Sequence, residues 1–257
     1  MDGVDQTLVV LAGFGAGILT SSVGVASLLS FPILLAVGLP PVTANVSNTI
    51  GLVPGGLGGA VGYREELRAE PAITRQVIAL TGVAGAVGAA LLLALPPGVF
   101  EAIVPWLILV TCLVVGAQPR ISRWLAVRRE RAGHDGSPRV RLSPVTILFV
   151  LLTGVYGGYF GAGAGVMMIA TLALGLDIDL RVIGGIRTAS LLASNLVAAV
   201  IFTVVADVDW AVVGLLAVSS IVGGYVGARV ARRMSVSLLR SLVVVAGVVA
   251  SGALLFG

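Results

Sequence analysis

Stretches of 18 or more predominantly apolar residues recur along this chain from one end to the other. Each is long enough to cross a hydrocarbon layer of about 30 Å as a helix. The runs are Leu8–Val37, Val42–Val61, Ala72–Leu95, Val99–Ala117, Val145–Leu174, Val182–Val205, Trp210–Val230 and Val236–Phe256. A membrane β-barrel would instead show short segments alternating apolar and polar residues. These runs are continuous and rich in Ala, Leu, Val and Gly, so the expected fold is an all-α polytopic membrane protein. Composition agrees: 58% of the 257 residues are hydrophobic and 11% are charged, against roughly a quarter charged in a soluble domain.

Two runs are too long for one crossing. Leu8–Val37 and Val145–Leu174 would each extend about 45 Å as straight helices at 1.5 Å per residue. Both contain a breaking cluster, Thr20-Ser21-Ser22-Val23-Gly24 in the first and Gly157 to Gly165 in the second. Glycine weakens a helix interior and lets the backbone turn or approach a ligand closely. Each run is therefore expected to form two half-helices that meet at a break.

The chain reads as two similar halves, residues 1–117 and 144–257, joined by an Arg-rich linker at 118–143. All 16 basic residues are Arg, the 12 acids leave a net charge of +4, and this excess lies mostly outside the apolar runs. It implies a cytoplasmic linker rather than a nucleic-acid partner. A Gly-x6-Gly spacing recurs as Gly17 to Gly24 and Gly154 to Gly161, and Ala44 to Thr49 aligns with Gly185 to Ser190. With each broken run as a re-entrant hairpin plus three transmembrane helices per half, the linker, the Arg64–Arg75 loop and the Arg229–Arg240 loop all fall inside, and Asp2, Asp5, Asp207 and Asp209 fall outside. Three crossings per half make the repeats inverted. The alternative, eight plain spans, puts the Arg229–Arg240 loop on the wrong side for the positive-inside tendency. Met1 to Thr7 has no basic residue, so the first run is not expected to be a cleaved leader.

Unwound backbone at membrane depth is tolerated where it lines a cavity or is buried in protein, which makes both breaks candidate substrate sites. The candidates are Thr20, Ser21, Ser22, Gly24 and Ser27 in the first half, and Gly161, Gly163 and Gly165 in the second. A second set sits several residues inside apolar runs: Asn45, Ser47, Asn48 and Thr49, with Arg187, Thr188, Ser190 and Asn195. An Arg near the bilayer centre costs at least about 2.5 kcal/mol on insertion scales. The guanidinium fork suits an oxyanion, so Arg187 is expected to anchor a small anion; the competing reading is an Arg that snorkels from the helix start. Small residues at the breaks have a competing reading too, as close helix contacts.

No nucleotide-binding Gly-x4-Gly-Lys-Ser/Thr is present, so an ion gradient, H+ or Na+, or the membrane potential is expected to drive movement. A passive anion channel would use the same lining. An intramembrane hydrolase, considered for Arg64-Glu65-Glu66-Leu67-Arg68, lacks a histidine in any apolar run, since His134 lies in the linker. No enzyme activity, cofactor or bound metal is expected.

The paired breaks and the polar residues that open the next run in each half resemble the sulfite exporter TauE/SafE family. Gly24-Val25-Ala26-Ser27-Leu28 keeps the first glycine of that family's glycine cluster, with Pro32 following; Gly161-Ala162-Gly163-Ala164-Gly165 keeps more of the glycines and has Ala170 where the Pro would fall. The resemblance covers both halves. It implies a cell-membrane secondary transporter that exports small sulfur-containing anions such as sulfite or organosulfonates.

Overall fold

Prolines set the starts of several helices here. Pro41, Pro71, Pro97 and Pro144 each occupy the first helical position, where the missing N–H costs nothing and φ is already helical. Side chains cap two other starts: Asp179 Oδ1 accepts from Arg181 N (2.6 Å), and Asp209 Oδ1 accepts from Val212 N (3.0 Å). Both residues thus satisfy N–H groups that a helix start leaves free.

The computed structural model describes residues 2–22, 24–132, 140–230 and 236–256. Among the described residues there are eleven helices and no strand. They are α1 (Gly3–Ser22), α2 (Ser27–Ala36), α3 (Pro41–Gly62), α4 (Arg64–Ala69), α5 (Pro71–Ala94), α6 (Pro97–Ala132), α7 (Pro144–Tyr159), α8 (Ala164–Gly175), α9 (Leu180–Val205), α10 (Trp210–Val230) and α11 (Val236–Phe256). The all-helical architecture expected from the apolar runs is what forms. Both overlong runs divide, into α1 and α2 and into α7 and α8. Among the described residues, four helices are long and apolar enough to cross a membrane, with windows at Gly3–Thr20, Pro71–Ala94, Pro97–Ile121 and Leu180–Val205, and five further stretches of apolar helix are shorter.

Two details differ from the sequence expectation. The polar stretch from Gln118 does not start as a loop: α6 runs on through Pro119 to Ala132. The Arg64–Arg75 loop contains a short helix, α4, packed on α9. The turn-rich Gly133–Pro138 segment with His134, and Arg232 and Arg233, lie outside the described residues.

The helices interlock across the two halves. α1 packs along α10, and α7 packs along α5 in the same way; α3 packs on α10 as α9 packs on α5; α2 meets α11 as α8 meets α6. α3 meets α9 and α6 meets α11 directly. These principal contacts are unchanged if α1, α2, α3, α5 and α6 exchange places with α7, α8, α9, α10 and α11. The tightest approaches follow the same rule. A Cβ on Gly17 would run into the Ser220 carbonyl and one on Gly158 into the Gly85 carbonyl, while one on Gly223 would meet Phe14 and one on Gly88 would meet Val155. Small residues let membrane helices come this close. On the other side of α5, Val83, Val87 and Leu91 form an exposed apolar stripe, suited to lipid.

This packing corrects the glycine register. The packing counterpart of Gly17 is Gly158, one turn beyond the Gly154 that equal spacing selects. α1 is one turn longer before its break than α7, so the Gly-x6-Gly match is coincidental. On α3 and α9 the contacts pair Gly51, whose carbonyl accepts from Ser220 Oγ at 3.4 Å, with Ser194, which faces Gly85. Ala44 then falls in the place of Arg187, Asn45 of Thr188, Asn48 of Leu191 and Leu52 of Asn195.

Candidate substrate site

The two breaks have the same backbone solution. Gly24 N donates to Leu19 O (2.7 Å), and Gly161 N donates to Tyr156 O (2.9 Å). Each bond closes the end of a helix on a left-handed residue, with φ 77° at both Gly24 and Gly161. Glycine enters this region without the Cβ penalty. The second break has another left-handed glycine, Gly163 (φ 75°), which caps α8. It is also tied down: Tyr156 Oη donates to Ala162 O (2.6 Å), Thr111 Oγ1 donates to the same carbonyl (3.1 Å), and Phe160 stacks edge-on against Phe31 at 5.1 Å.

The breaks touch one another. A Cβ on Gly165 would lie 2.8 Å from the Gly24 carbonyl. Between them is a cavity of about 80 Å³, lined from the first break by Thr20, Gly24, Ala26 and Ser27 and from the second by Gly161 and Ala164. Its remaining walls are Leu52, Val53 and Gly56 of α3, and Arg187, Thr188, Leu191, Leu192 and Asn195 of α9. The N-terminal ends of α2 and α8 both reach this wall, and such ends present N–H groups and partial positive charge. Among the described residues the lining holds one cation, Arg187, and no carboxylate.

Arg187 is the most consequential member. It lies a third of the way along α9 and is 6% exposed, so it does not snorkel to the surface. Its Nη2 donates to Thr188 Oγ1 (3.2 Å), and that hydroxyl donates to Gly184 O (2.9 Å). The guanidinium sits directly on Gly24: a Cβ there would be 2.6 Å from Nη1. With the guanidinium where it stands, a side chain at the first break would crowd this Arg from the other half. A buried cation facing a small cavity of largely apolar walls, with helix N-termini beside it, is an arrangement that can hold a small oxyanion.

The cavity thus gathers Thr20, Gly24, Ser27, Gly161, Arg187, Thr188 and Asn195 from the sequence candidates. Ser21 and Ser22 end α1, and their side chains lie outside the described residues. The other candidates lie outside the cavity lining. Gly163 packs on Thr111 and Gly165 on the Gly24 backbone. Thr49 Oγ1 donates to Asn45 O (2.9 Å), Ser190 Oγ donates to Arg187 O (3.0 Å), and Ser47 Oγ accepts from Asp209 N (3.0 Å). Asn45 and Asn48 are buried beyond the cavity wall. Sequence reasoning missed the apolar wall of Leu52, Leu191 and Leu192. Helical spacing carries that signal, since Leu191 and Leu192 stand four residues beyond Arg187 and Thr188. It also missed Tyr156 and Thr111, which no local pattern connects to the break they secure.

A polytopic helical bundle with a buried cationic cavity between paired helix breaks defines a membrane transporter as the class of protein. The family model described as "Sulfite exporter TauE/SafE" matches residues 9–254, and the chain belongs to that family. A Sinorhizobium protein named "Probable membrane transporter protein ORF9" is 28% identical over 241 residues, covering 93% of this chain and 87% of the relative. A Haemophilus influenzae "Probable membrane transporter protein" is 24% identical over 248 residues, covering 95% and 92%. The Escherichia coli "Probable membrane transporter protein YfcA" is 24% identical over 243 residues, covering 94% and 86%. No solved structure matches the chain significantly.

Proposed function

We propose that the chain is a secondary transporter that exports small sulfur-containing oxyanions, sulfite or organosulfonates, by exposing the cavity around Arg187 alternately to the two sides of the cell membrane. The observation that carries this is Arg187 itself, 6% exposed and lining a cavity built from both breaks. At about 80 Å³, the cavity suits an anion of a few heavy atoms. The sulfur chemistry comes from the family description. The two halves, 1–117 and 144–257, act as inverted repeats, each a re-entrant pair plus three spanning helices, and the 118–143 segment faces the cytoplasm. The exchange of packing partners between the halves supports the repeat, since alternating access rocks one repeat against the other.

The test is flux in proteoliposomes across sulfite, sulfate, thiosulfate, sulfoacetate, taurine and simple carboxylates. Saturable movement of sulfite or a sulfonate, lost in Arg187→Gln, is the expected result; flux that never saturates would point to a channel. Labelling of single cysteines in the Arg229–Arg240 loop reads topology, and labelling from outside would contradict the inverted arrangement.

A further inference from the structure

One helical turn beyond the cavity wall lies a polar cluster that anion binding leaves unused. Along α2, Ser27 lines the cavity and Ser30 is fully buried; along α3, Leu52 lines it and Asn48 is fully buried. Residues three and four apart share a helix face, so the cluster continues from the wall and reaches Asn45 a turn further on. Ser30 Oγ donates to Asn48 Oδ1 (2.6 Å), and Asn45 Nδ2 donates to Tyr159 O (2.9 Å). The other ends of both amides, Asn45 Oδ1 and Asn48 Nδ2, are buried with no partner among the described residues. Unsatisfied buried polar atoms are rare enough that each calls for an explanation, such as an ion or a water.

The surroundings are opposite in sign to those of the cavity. Tyr159 is the last residue of α7, and its carbonyl belongs to the negative end of that helix. The cluster itself consists of neutral groups. Ser30 Oγ has a second acceptor within reach, Ala26 O at 3.3 Å. A half-turn of the Asn48 amide therefore keeps its bond to Ser30, with Nδ2 now donating to Oγ and Oγ donating to Ala26. That rotation turns Asn48 Oδ1 to where Nδ2 stood; the two ends of an amide are fixed only by their partners. Two amide oxygens then stand a turn apart on one face of α3, beside a hydroxyl oxygen and a helix C-terminal carbonyl. An all-oxygen, neutral donor set backed by a helix C-terminus is chemistry for a hard monovalent cation.

We propose that Asn45, Asn48 and Ser30, with the carbonyl end of α7, form a Na+ site adjacent to the anion cavity. The proposal rests on the transporter reading of that cavity and supplies its driving ion. A cation held one turn from a bound anion strengthens anion binding, and the anion strengthens cation binding by the same factor.

The test follows thermal unfolding of the purified full chain in nanodiscs against NaCl, with KCl and choline chloride at equal ionic strength, each with and without sulfite. The expected result is a saturable Na+-specific rise in Tm without sulfite, lost in Ser30→Ala and Asn45→Ala. Asn48→Asp, which adds a carboxylate at nearly unchanged shape, moves the response to lower Na+ concentration. Na+ also tightens the apparent sulfite affinity about tenfold. Absence of a Na+-specific rise in both the unmodified protein and Asn48→Asp overturns the site and leaves water as its occupant. A rise of equal size in the unmodified protein and Asn45→Ala overturns it too, by putting the cation elsewhere. Sulfite protection in choline, lost in Arg187→Gln, survives either failure. If instead the Na+ response persists but no anion protects, the anion reading fails alone.

Discussion

The cavity face of α9 and the corresponding face of α3 occupy counterpart positions, yet their chemistry is nearly complementary. Where α9 carries Arg187 and Asn195 in the cavity, α3 carries Ala44 and Leu52; where α3 buries Asn48, α9 has Leu191. A repeated scaffold creates two similar places at the centre of the bundle. Here one has brought a cation to the cavity, and the other offers it the apolar Leu52 and buries neutral amides a turn behind. The glycines beside them follow suit: Gly24 lies against the guanidinium of Arg187, whereas the nearest neighbours of Gly161 are the Gly157 backbone and Oδ1 of Asn195.

The comparison breaks first if the halves are not packing counterparts. Gly17→Val and Gly158→Val both drive a side chain into a carbonyl of the neighbouring helix, and overpacking of this kind costs about 3 kcal/mol or more where neither backbone can yield. Both should lose most of the folded protein by size-exclusion chromatography; an unaffected Gly158→Val would remove the register argued above. The next largest effect separates the two breaks. Gly24→Ala should lower anion affinity about tenfold, because the added Cβ displaces a charge-assisted contact. Gly161→Ala should cost about 1 kcal/mol of stability from the left-handed backbone with less loss of affinity. Equal affinity losses in a binding titration would deny that Arg187 distinguishes them.

Asn195→Leu makes the α9 face resemble α3. It should weaken anion binding roughly fivefold, the worth of one neutral hydrogen bond, and leave Tm nearly unchanged. The smallest effect is expected at Thr111→Val, which removes one of two bonds to the Ala162 carbonyl and should cost about 1 kcal/mol, read as a lower Tm with anion affinity kept.

The long elements were legible because crossing a membrane imposes length and apolarity on local sequence. The apolar runs at Trp210 and Val236 are helical throughout their described residues, and both breaks fall at the breaking clusters, on Gly24 and on Gly161 and Gly163. Arg187 was legible for the same reason, since a charge inside an apolar run needs a partner. Register was not: equal spacing chose Gly154, whereas the contact with α5 chooses Gly158, and helix length before the break is set by tertiary packing. The division of Asn45 and Asn48 from the cavity was not legible either, because one turn separates lining from burial and only the packing of α2 on α3 decides it. The extension of α6 past Gln118 shows that a polar, Arg-rich composition does not end a helix when Arg is itself a good helix former.

The central claim is that one buried guanidinium anchors the anion. Sulfite counterflow in proteoliposomes, comparing the unmodified chain with Arg187→Gln and Arg187→Lys at matched protein content, tests it most directly. The account predicts saturable counterflow that Arg187→Gln abolishes and Arg187→Lys partly restores with weaker affinity, because lysine keeps the charge but not the planar fork. Undiminished sulfite counterflow in Arg187→Gln would contradict it.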